Sequence, residues 1–309
     1  MTMNGISDRE FIQDAYIQEG VSPVPGVVIV ASTIGDDYDN PKNRIGVRKQ
    51  DSWLEFGLSG EAVLSIDATD DGLAYVLGEN GTVVRFNWQT PGTKDELRAS
   101  RKVFANAAVA RIGPLRRIRV LGADVICAGS VGQAYCLRDE RFEAFPVLKV
   151  DGQEATIEDI AGTGRKDIVA VTSDGYAAHF DGSQWRVLDL PTNTSLTSIC
   201  ALGSHRYAIS GKTGTIIVGD KSHWNIISPI DSERSYWGIA ADNGIIYVAH
   251  LGGIDKVVDQ GLAALDIQGK DELQFTVLRD SSDGVWSFAG RTIGVIRNDT
   301  WHTLLRAPL

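Results

Sequence analysis

The 309-residue sequence is poor in cysteine, proline and positive charge, and it has no long apolar run. Its three cysteines, Cys127, Cys136 and Cys200, are odd in number and form no C-x-x-C pair, which argues against a disulfide framework. We expect all three to be buried, reduced strand residues in a reducing compartment. Cys127 and Cys136 flank a turn, so the spacing leaves open that they face each other on a hairpin.

Signals for secretion and for membrane insertion are also missing. Met1–Glu10 has no basic segment followed by an apolar run, which a secretory signal requires. No apolar stretch approaches the ~20 residues that span a bilayer. We therefore predict a cytoplasmic protein with no membrane partner.

Positive charge is outnumbered, with 30 lysines and arginines against 40 carboxylates and a net charge of −10. An acidic chain repels the phosphates of nucleic acids, so we predict no nucleic-acid partner. The same charge attracts basic partners. It also serves simply to keep a cytosolic protein soluble, so it does not identify a partner by itself.

Catalytic and ligand-binding motifs are absent as well. The histidines lie too far apart in the sequence to form an H-x-H or H-E-x-x-H metal pair; they are His179, His205, His223, His250 and His302. The segment Ala128–Gly132 comes close to a nucleophile elbow but fails its spacing. There is no P-loop and no G-x-G-x-x-G. We predict no catalytic residues, no cofactor and no metal.

Glycine, in contrast, is abundant at 33 residues, and it marks a pattern of short strands. In the middle of the chain, three apolar or β-branched runs occupy Ile168–Thr172, Tyr176–Phe180 and Trp185–Leu190. Asp-Gly pairs separate them, and an Asp-Gly between two β-prone runs predicts a hairpin. A fourth run, Leu196–Ala201, opens the next unit.

This unit repeats along the chain. A turn glycine before each third strand recurs about 40 residues apart, with one longer gap, at Gly81, Gly132, Gly175, Gly214 and Gly253. A tryptophan opens the fourth strand at Trp53, Trp185, Trp224 and Trp301. A period near 40 with four strands per period is typical of propeller blades. We expect these tryptophans to pack between blades.

The repeat therefore predicts an all-β fold, a seven-bladed β-propeller of four-stranded antiparallel blades that forms a single domain over residues 1–309. The unit at residues 1–58 is irregular, and six blades remain if it does something else. Within it, Ser7-Asp8-Arg9-Glu10 fits a capping box that starts a short helix. Phe11–Ile17 fits a first strand equally well.

One segment is similar to a calcium loop of the form D-x-[DN]-x-[DN]-G-x-x-D. Asp159, Gly164 and Asp167 match this pattern, but Ala161 and Thr163 stand where it has Asp or Asn. Two carboxylates are too few for tight binding of the ion. We therefore predict a metal-free turn.

The loops that the repeat does not dictate form the candidate functional site. In a propeller, the connections from second to third strands and from fourth strands to the next blade lie on one face. Acidic residues and exposed aromatics there suit a basic protein partner, because aromatics anchor and acids steer. Merely solvated loops are the competing interpretation, and His250 either faces the central pocket or is structural. The candidate partner-binding residues are Asp36, Asp37, Tyr38, Asp39, Glu79, Asp231, Glu233, Arg234, Tyr236, Trp237, His250, Asp271 and Glu272.

The middle of the chain resembles a bacterial propeller repeat, D-[VIL]-[WYV]-A-V-x-x-x-G-x-[IVL]-x-[HR]-[FY]-D-G-x-x-W. The matching residues are Asp167-Ile168-Val169-Ala170-Val171, Gly175, His179-Phe180-Asp181-Gly182 and Trp185, with weaker copies at Tyr75–Gly78 with Gly81 and at Tyr247–Ala249. The resemblance is to WD40/BNR-like β-propeller repeat proteins and covers the chain from about Ala62 onward. It implies a cytosolic immunity partner of a secreted toxin, such as an Rhs or other polymorphic effector of type VI secretion.

Two functional expectations follow. The first is a non-catalytic protein-binding propeller, monomeric by itself, that holds and neutralises a basic toxin domain. The alternative is a glycan-acting hydrolase or lyase in the central funnel, which requires carboxylates, histidine and tyrosine to converge on the axis. An oligomeric structural scaffold is a third option.

Overall fold

A computed structural model describes residues 5–13, 15–35, 42–106, 108–203, 205–227, 233–259, 261–269 and 273–307. In these residues the strands form seven four-stranded antiparallel sheets and one two-stranded hairpin. Strands that are consecutive in the chain are neighbours in each sheet, so each sheet is one blade. The prediction of a seven-bladed β-propeller is confirmed.

The blades follow one another along the chain. Blade 1 contains β1 (Ala15–Val21), β2 (Val27–Ile34), β3 (Lys42–Lys49) and β4 (Ser52–Ser59). Blade 2 contains β5 (Val63–Ala68), β6 (Leu73–Gly78), β7 (Thr82–Asn87) and β8 (Lys102–Ala105). Blade 3 contains β9 (Leu115–Leu121), β10 (Asp124–Gly129), β11 (Ala134–Arg138) and β12 (Arg141–Ala144). The hairpin that precedes blade 4 contains β13 (Lys149–Val150) and β14 (Gln153–Glu154).

The remaining four blades have the same order. Blade 4 contains β15 (Ile157–Gly164), β16 (Asp167–Thr172), β17 (Ala177–Phe180) and β18 (Trp185–Leu188). Blade 5 contains β19 (Leu196–Gly203), β20 (Arg206–Gly211), β21 (Ile216–Gly219) and β22 (Trp224–Ile226). Blade 6 contains β23 (Gly238–Asp242), β24 (Ile245–His250), β25 (Gly253–Val258) and β26 (Gly261–Ala264). Blade 7 contains β27 (Leu278–Ser281), β28 (Gly284–Ala289), β29 (Thr292–Arg297) and β30 (Thr300–Arg306).

Short helices lie outside the blades. The first is α1 (Asp8–Ile12), where Ser7 and Glu10 form the predicted capping box, so the helix prediction is confirmed. The alternative of a first strand at Phe11–Ile17 is wrong, because β1 begins only at Ala15. The other two are α2 (Lys94–Ala99), between β7 and β8, and α3 (Val109–Ile112), before β9.

The core consists of apolar clusters between neighbouring blades. Successive residues of a strand point to opposite faces, so each blade contributes to two clusters. Cys127 packs with Tyr75 of blade 2, whereas Cys136 packs with Phe180 of blade 4. The option that the two thiols face each other is therefore wrong. All three cysteines are buried and free, as expected, and burial raises the pKa of Cys136 to about 11.

The recurring tryptophans pack between blades, as the repeat predicts. All four lie in fourth strands. Trp53 is fully buried between blades 1 and 7, and Trp224 is buried between blades 4 and 5. Trp185 and Trp301 are partly buried against the clusters between blades 3 and 4 and between blades 6 and 7. The indole of Trp185 donates to the carbonyl of Pro146, which ties blade 4 to the preceding connection (2.8 Å).

The turn glycines recur for two physical reasons. Gly132 and Gly175 have φ values of 65° and 87°, in the left-handed region that glycine adopts without strain. The connection to the next blade also crosses directly over each of these turns. A Cβ atom would lie 2.2 Å from the Leu148 carbonyl oxygen at Gly132 and 2.4 Å from that of Asn193 at Gly175.

The segment that is similar to a calcium loop is mainly strand, so the prediction of a turn holds only for Arg165-Lys166. Asp159 and Gly164 both belong to β15, which is an inner strand of the propeller. Asp167 begins the next strand, β16, and contacts His179 and Lys221. The sequence spacing that suggests a loop comes from two adjacent strands instead.

The ring closes where blade 1 packs against blade 7, an interface that we call the closure seam. The Ile17 amide donates to the Gly290 carbonyl (2.6 Å), and the Gly290 amide donates to the Ile17 carbonyl (3.0 Å). Helix α1 fills the outer part of the seam, since Phe11 clusters with Trp286 and Leu305 of blade 7. The irregular N-terminal unit is therefore a complete blade preceded by a helix.

Candidate partner-binding face and central axis

The propeller has two faces that differ in their connections. We call the loop face the one formed by the connections from second to third strands and from each fourth strand to the next blade. The turn face is the opposite one and carries mainly tight turns, such as those at Gln50-Asp51 and Asp139-Glu140. Every inner strand begins at the loop face and ends at the turn face, so the axis connects the two.

Five of the candidate partner-binding residues lie exposed or partly exposed on the loop face. They are Glu79, Glu233, Arg234, Trp237 and His250. Tyr236 is buried, and its ring packs edge-to-face on the His250 ring, so it is not part of the exposed surface. The other candidates, Asp36, Asp37, Tyr38, Asp39, Asp231, Asp271 and Glu272, lie outside the described residues.

Arg234 and His250 belong to a charged cluster within blade 6. The Arg234 guanidinium lies 2.8 Å from the carboxylate of Asp255, and the His250 ring lies 3.5 Å from it. The other ring nitrogen of His250 accepts from the Gly252 amide (3.1 Å), which fixes the turn that follows β24. Burial alone would raise the pKa of Asp255, but its contacts with His250 and Arg234 hold it below the ordinary value. His250 therefore has a structural role, and it does not line the central cavity described below.

Exposed apolar side chains concentrate on the loop face. Among the described residues, ten large apolar side chains are exposed, and most of them lie on this face. Those on the loop face are Tyr16, Ile112, Val147, Tyr176, Trp237 and Leu251. The others are Val103, Val187 and Ile226 on outer strands and Val258 at the turn face. Aromatic residues that stay exposed together are typical of protein-binding surfaces.

Sequence reasoning identified Trp237 but missed its companions on this face. Tyr176 and Leu251 each neighbour a turn glycine, Gly175 and Gly252. That position alone does not mark an exposed residue, because Ile254 beside Gly253 is buried between blades 6 and 7. Ile112 and Val147 lie in connections that the repeat does not dictate, so no local pattern marks them either.

Hydrogen bonds hold the described parts of several loop-face connections in place. The Leu148 amide donates to the Gly132 carbonyl (2.8 Å), and the Gly214 amide donates to the Arg234 carbonyl (2.6 Å). The Trp237 amide donates to the Ala249 carbonyl (2.8 Å), which fixes the indole beside the end of β24. A surface fixed in this way loses little conformational entropy when a partner binds.

The central axis is occupied by a network of ion pairs between inner strands. Arg119 contacts Asp159 (2.7 Å), and Arg117 contacts Glu19 (2.9 Å). Arg279 also lies close to Glu19 (3.3 Å). Burial and the neighbouring arginine lower the pKa of Arg119 to about 10. Burial alone would raise the pKa of Asp159, but the surrounding arginines lower it.

A cavity of about 340 Å³ opens beside this network at the turn face. Its lining includes Asp67, Arg119, Arg279 and Asp280, and none of the described residues that line it is a histidine or tyrosine. Both carboxylate oxygens of Asp67 accept backbone amides, from Ala68 (3.0 Å) and Val120 (2.8 Å), and burial raises its pKa. A funnel enzyme requires carboxylates, histidine and tyrosine to converge on the axis. Among the described residues that line the cavity, only the carboxylates are present, and arginines lie beside them.

The described part of the chain contains no group of three or more histidine, cysteine, aspartate or glutamate side chains placed to hold a metal ion. None of its helices is long and apolar enough to cross a membrane.

Solved structures define the class of protein as a β-propeller. The WD40 propeller domain of Doa1 superposes with a TM-score of 0.68 at 12% identity, over 90% of both chains. YCF48 in its complex with the D1 peptide gives 0.66 at 15% identity, over 90% of both chains. The computationally designed Ika8 protein gives 0.60 at 12% identity, over 98% of both chains. At these identities the likeness establishes the fold alone.

At the level of sequence, the chain is similar to the Immune protein Tsi7 of Pseudomonas aeruginosa. The two are 32% identical over 153 residues, which is 48% of this chain and 50% of that protein. The chain thus spans about half the length of the curated relative that it matches. No protein-family model matches the chain.

Proposed function

We propose that this chain is a non-catalytic immunity protein that binds a secreted toxin effector and neutralises it. The observation that carries this proposal is the 32% identity to the Immune protein Tsi7 over 153 residues. An identity of this size over one half of each chain supports a shared fold and a related role. The match does not span the whole relative, so it does not identify the toxin. That identification requires an experiment.

The surface chemistry supports a protein partner on the loop face. This face presents exposed aromatic and aliphatic side chains on fixed connections, which is what a hot spot of binding needs. The net charge of −10 favours encounter with a basic toxin domain, because opposite charges speed association. We propose that the protein acts in the cytoplasm as a monomer until the toxin arrives.

The funnel-enzyme alternative has weaker support. The feature that favours an enzyme most is Asp67, because its raised pKa and its position in the cavity suit a general acid. However, both oxygens of this carboxylate already accept amides, and Arg119 and Arg279 border the same cavity. These arginines favour the ionised form of the carboxyl group over the protonated form that a general acid needs.

The proposal is tested with the proteins encoded by the genes next to that of this chain, among which we expect the toxin. We expect cells that express the toxin to survive only when this protein is co-expressed, and we expect the two proteins to elute together from size-exclusion chromatography. The interaction should weaken as salt rises, since charge contributes to the encounter. A toxin that kills equally well with and without this protein, and that elutes apart from it, contradicts the proposal.

A further inference from the structure

Three exposed apolar side chains of the loop face belong to the blades on either side of blade 7. Trp237 and Leu251 of blade 6 are 36% and 54% exposed, and Tyr16 at the start of blade 1 is 50% exposed. Gln274, in the connection from blade 6 to blade 7, is also exposed. We call this set of four residues the seam arc, because it spans the closure seam between blades 7 and 1.

Backbone and side-chain contacts link the chain segments that carry the four residues of the seam arc. The Trp237 amide donates to the Ala249 carbonyl (2.8 Å), which places the indole beside the turn that carries Leu251. At Gly238, next to this tryptophan, a Cβ atom would lie 2.8 Å from the Thr276 carbonyl oxygen, so the connection to blade 7 passes close by. Gln274 belongs to that connection and accepts a hydrogen bond from the Tyr16 hydroxyl (3.1 Å).

The seam arc lies where few main-chain hydrogen bonds join blades 1 and 7 in the described part of the chain. All strands of blades 1 and 7 pair within their own blade, so among the described residues no strand is exchanged across the seam. The main-chain link between the two blades is the pair of hydrogen bonds between Ile17 and Gly290. A partner that covers Tyr16 and Trp237 at once adds contacts across this link.

We propose that the toxin docks on the seam arc through an apolar patch of its own, and that its binding holds the ring closed. This inference rests on the proposed function for the existence of the toxin. Apolar chemistry is assigned to the partner because the arc offers two aromatic rings and a leucine, whose burial drives association. The partner's basic charge then assists the encounter and does not make the central contact.

Affinity measurements on the full chain test the docking site. We expect the double variant Trp237→Ala/Leu251→Ser to bind the neighbouring toxin at least tenfold more weakly, since exposed aromatic anchors contribute on that order. The matched control is Val187→Ser/Ile226→Ser, which removes exposed apolar side chains from the outer strands of blades 4 and 5. It should bind within threefold of the original, and melting curves verify that both variants are folded.

A second comparison on the same face keeps the docking site falsifiable. Ile112→Ser/Tyr176→Ala alters the loop face far from the seam. If this variant loses toxin binding while the arc variant retains it, the arc is not the docking site, although the proposed function stands. If the original protein binds no neighbouring toxin at all, the proposed function fails and the docking proposal with it. A dimer in light scattering that the arc variant dissociates would mean that the arc binds a second copy, which also overturns the proposal.

Hydrogen exchange tests the effect on ring closure separately. We expect the Ile17 and Gly290 amides to exchange at least tenfold more slowly in the toxin complex, because opening of the seam must then break the docked surface. The Val169 amide, in the middle of blade 4, should be unchanged and serves as the internal control. Unchanged exchange at Ile17 and Gly290 in a saturated complex overturns the coupling of binding to closure.

Discussion

At the scale of single residues, the turns of the loop face impose the narrowest constraints. Gly175 combines a φ of 87° with a carbonyl oxygen 2.4 Å from the place where a Cβ would stand. Gly152, at the tip of the hairpin before blade 4, has a similar φ of 81° but open space around it. The two glycines therefore separate the cost of backbone strain from the cost of a clash.

We predict that Gly175→Ala lowers the free energy of unfolding by roughly 2–4 kcal/mol, because strain and overpacking add together. Gly152→Ala should cost only about 1 kcal/mol, since it carries the strain without the clash. Urea denaturation of the two variants beside the original protein measures both values. Equal losses at the two positions would mean that the connection over Gly175 moves aside freely.

Asp167 gives a second prediction at this scale, on pH dependence. Burial alone would raise its pKa, but contacts with Lys221, Thr163 and His179 lower it to about 2. A carboxyl whose pKa is lower in the folded state stabilises the fold above its unfolded pKa, and that contribution disappears as pH falls through the folded value. Its loss is therefore expected between about pH 4 and pH 2.

The variant Asp167→Asn should accordingly lose about 1 kcal/mol of stability at pH 7, an amount already discounted for partial exposure. The difference from the original protein should shrink toward pH 2. Asp139→Asn is the matched control, because that carboxylate is 93% exposed and should change stability little. Thermal melting at a series of pH values tests the prediction, and a difference that stays constant down to pH 2 would contradict it.

The adjacent residues Tyr236 and Trp237 show what the sequence can and cannot predict about the candidate site. Both are aromatic residues in one connection, and the sequence treats them alike. Tyr236 is buried because its amide donates to the Gly211 carbonyl and its ring packs on His250. Trp237 is exposed because its own amide bonds to Ala249 instead. Connections have no regular alternation of apolar and polar residues. Which side chain faces the solvent therefore depends on contacts between blades, and no local sequence pattern encodes those contacts.

At the scale of elements, helix α1 extends the packing of Trp53 in the closure seam. The Phe11 ring stacks on the Trp53 ring with their centroids 3.8 Å apart. Gly46 makes room for it, since a Cβ there would lie 2.3 Å from the Phe11 ring. Asp8 adds hydrogen bonds from the Trp53 indole and the Arg48 guanidinium.

We predict that Phe11→Ala destabilises the protein by about 3–4 kcal/mol, because it empties a fully buried aromatic site. Arg9→Ala, in the same helix but exposed, should change stability by less than about 0.5 kcal/mol. Chemical denaturation measures the change, and proteolysis near the termini locates it. An effect of similar size for the two variants would show that α1 does not seal the seam.

The sequence predicts most elements of the fold because the repeat constrains them. Strands bounded by a turn glycine and a tryptophan, such as β16 to β18, lie close to where the pattern places them. The inner strand β15 was mistaken for a turn because Asp159 and two glycines interrupt its apolar run. A charged residue is tolerated there only because Arg119, from another blade, supplies the opposite charge. No pattern within one repeat can show that partner.

The first strand of blade 7 illustrates a second limit. The alternating apolar residues of Leu273–Leu278 have the pattern of a strand, whereas β27 begins at Leu278. Leu273 and Phe275 are buried all the same, in the cluster between blades 6 and 7. An apolar run that packs as a connection is indistinguishable in sequence from one that packs as a strand.

At the scale of the whole molecule, the charges on the axis balance one another. The arginines of the network are Arg117, Arg119 and Arg279, and the carboxylates are Glu19, Asp67 and Asp159. These six side chains come from five different blades. These charges therefore balance only when all five of those blades are in place, which links ring assembly to electrostatics.

Removal of one member of this network should be costly. We predict that Arg119→Met lowers the free energy of unfolding by about 3–5 kcal/mol, because it leaves Asp159 buried without its nearest countercharge. Asp159→Leu should cost a similar amount, since it leaves Arg119 unpaired in the same surroundings. Urea denaturation measures both losses, and Lys102→Met, which breaks an exposed ion pair with Glu140, is the control with little expected effect.

The double variant Arg119→Met/Asp159→Leu distinguishes electrostatics from packing. It removes one charge of each sign, so the remaining arginines and carboxylates still balance, and apolar side chains fill the space. We expect it to be more stable than either single variant by at least about 2 kcal/mol, because a buried ion pair costs most when only one partner remains. If the losses of the two single variants instead add in the double variant, the axis is held by the packing of these side chains and not by their charges.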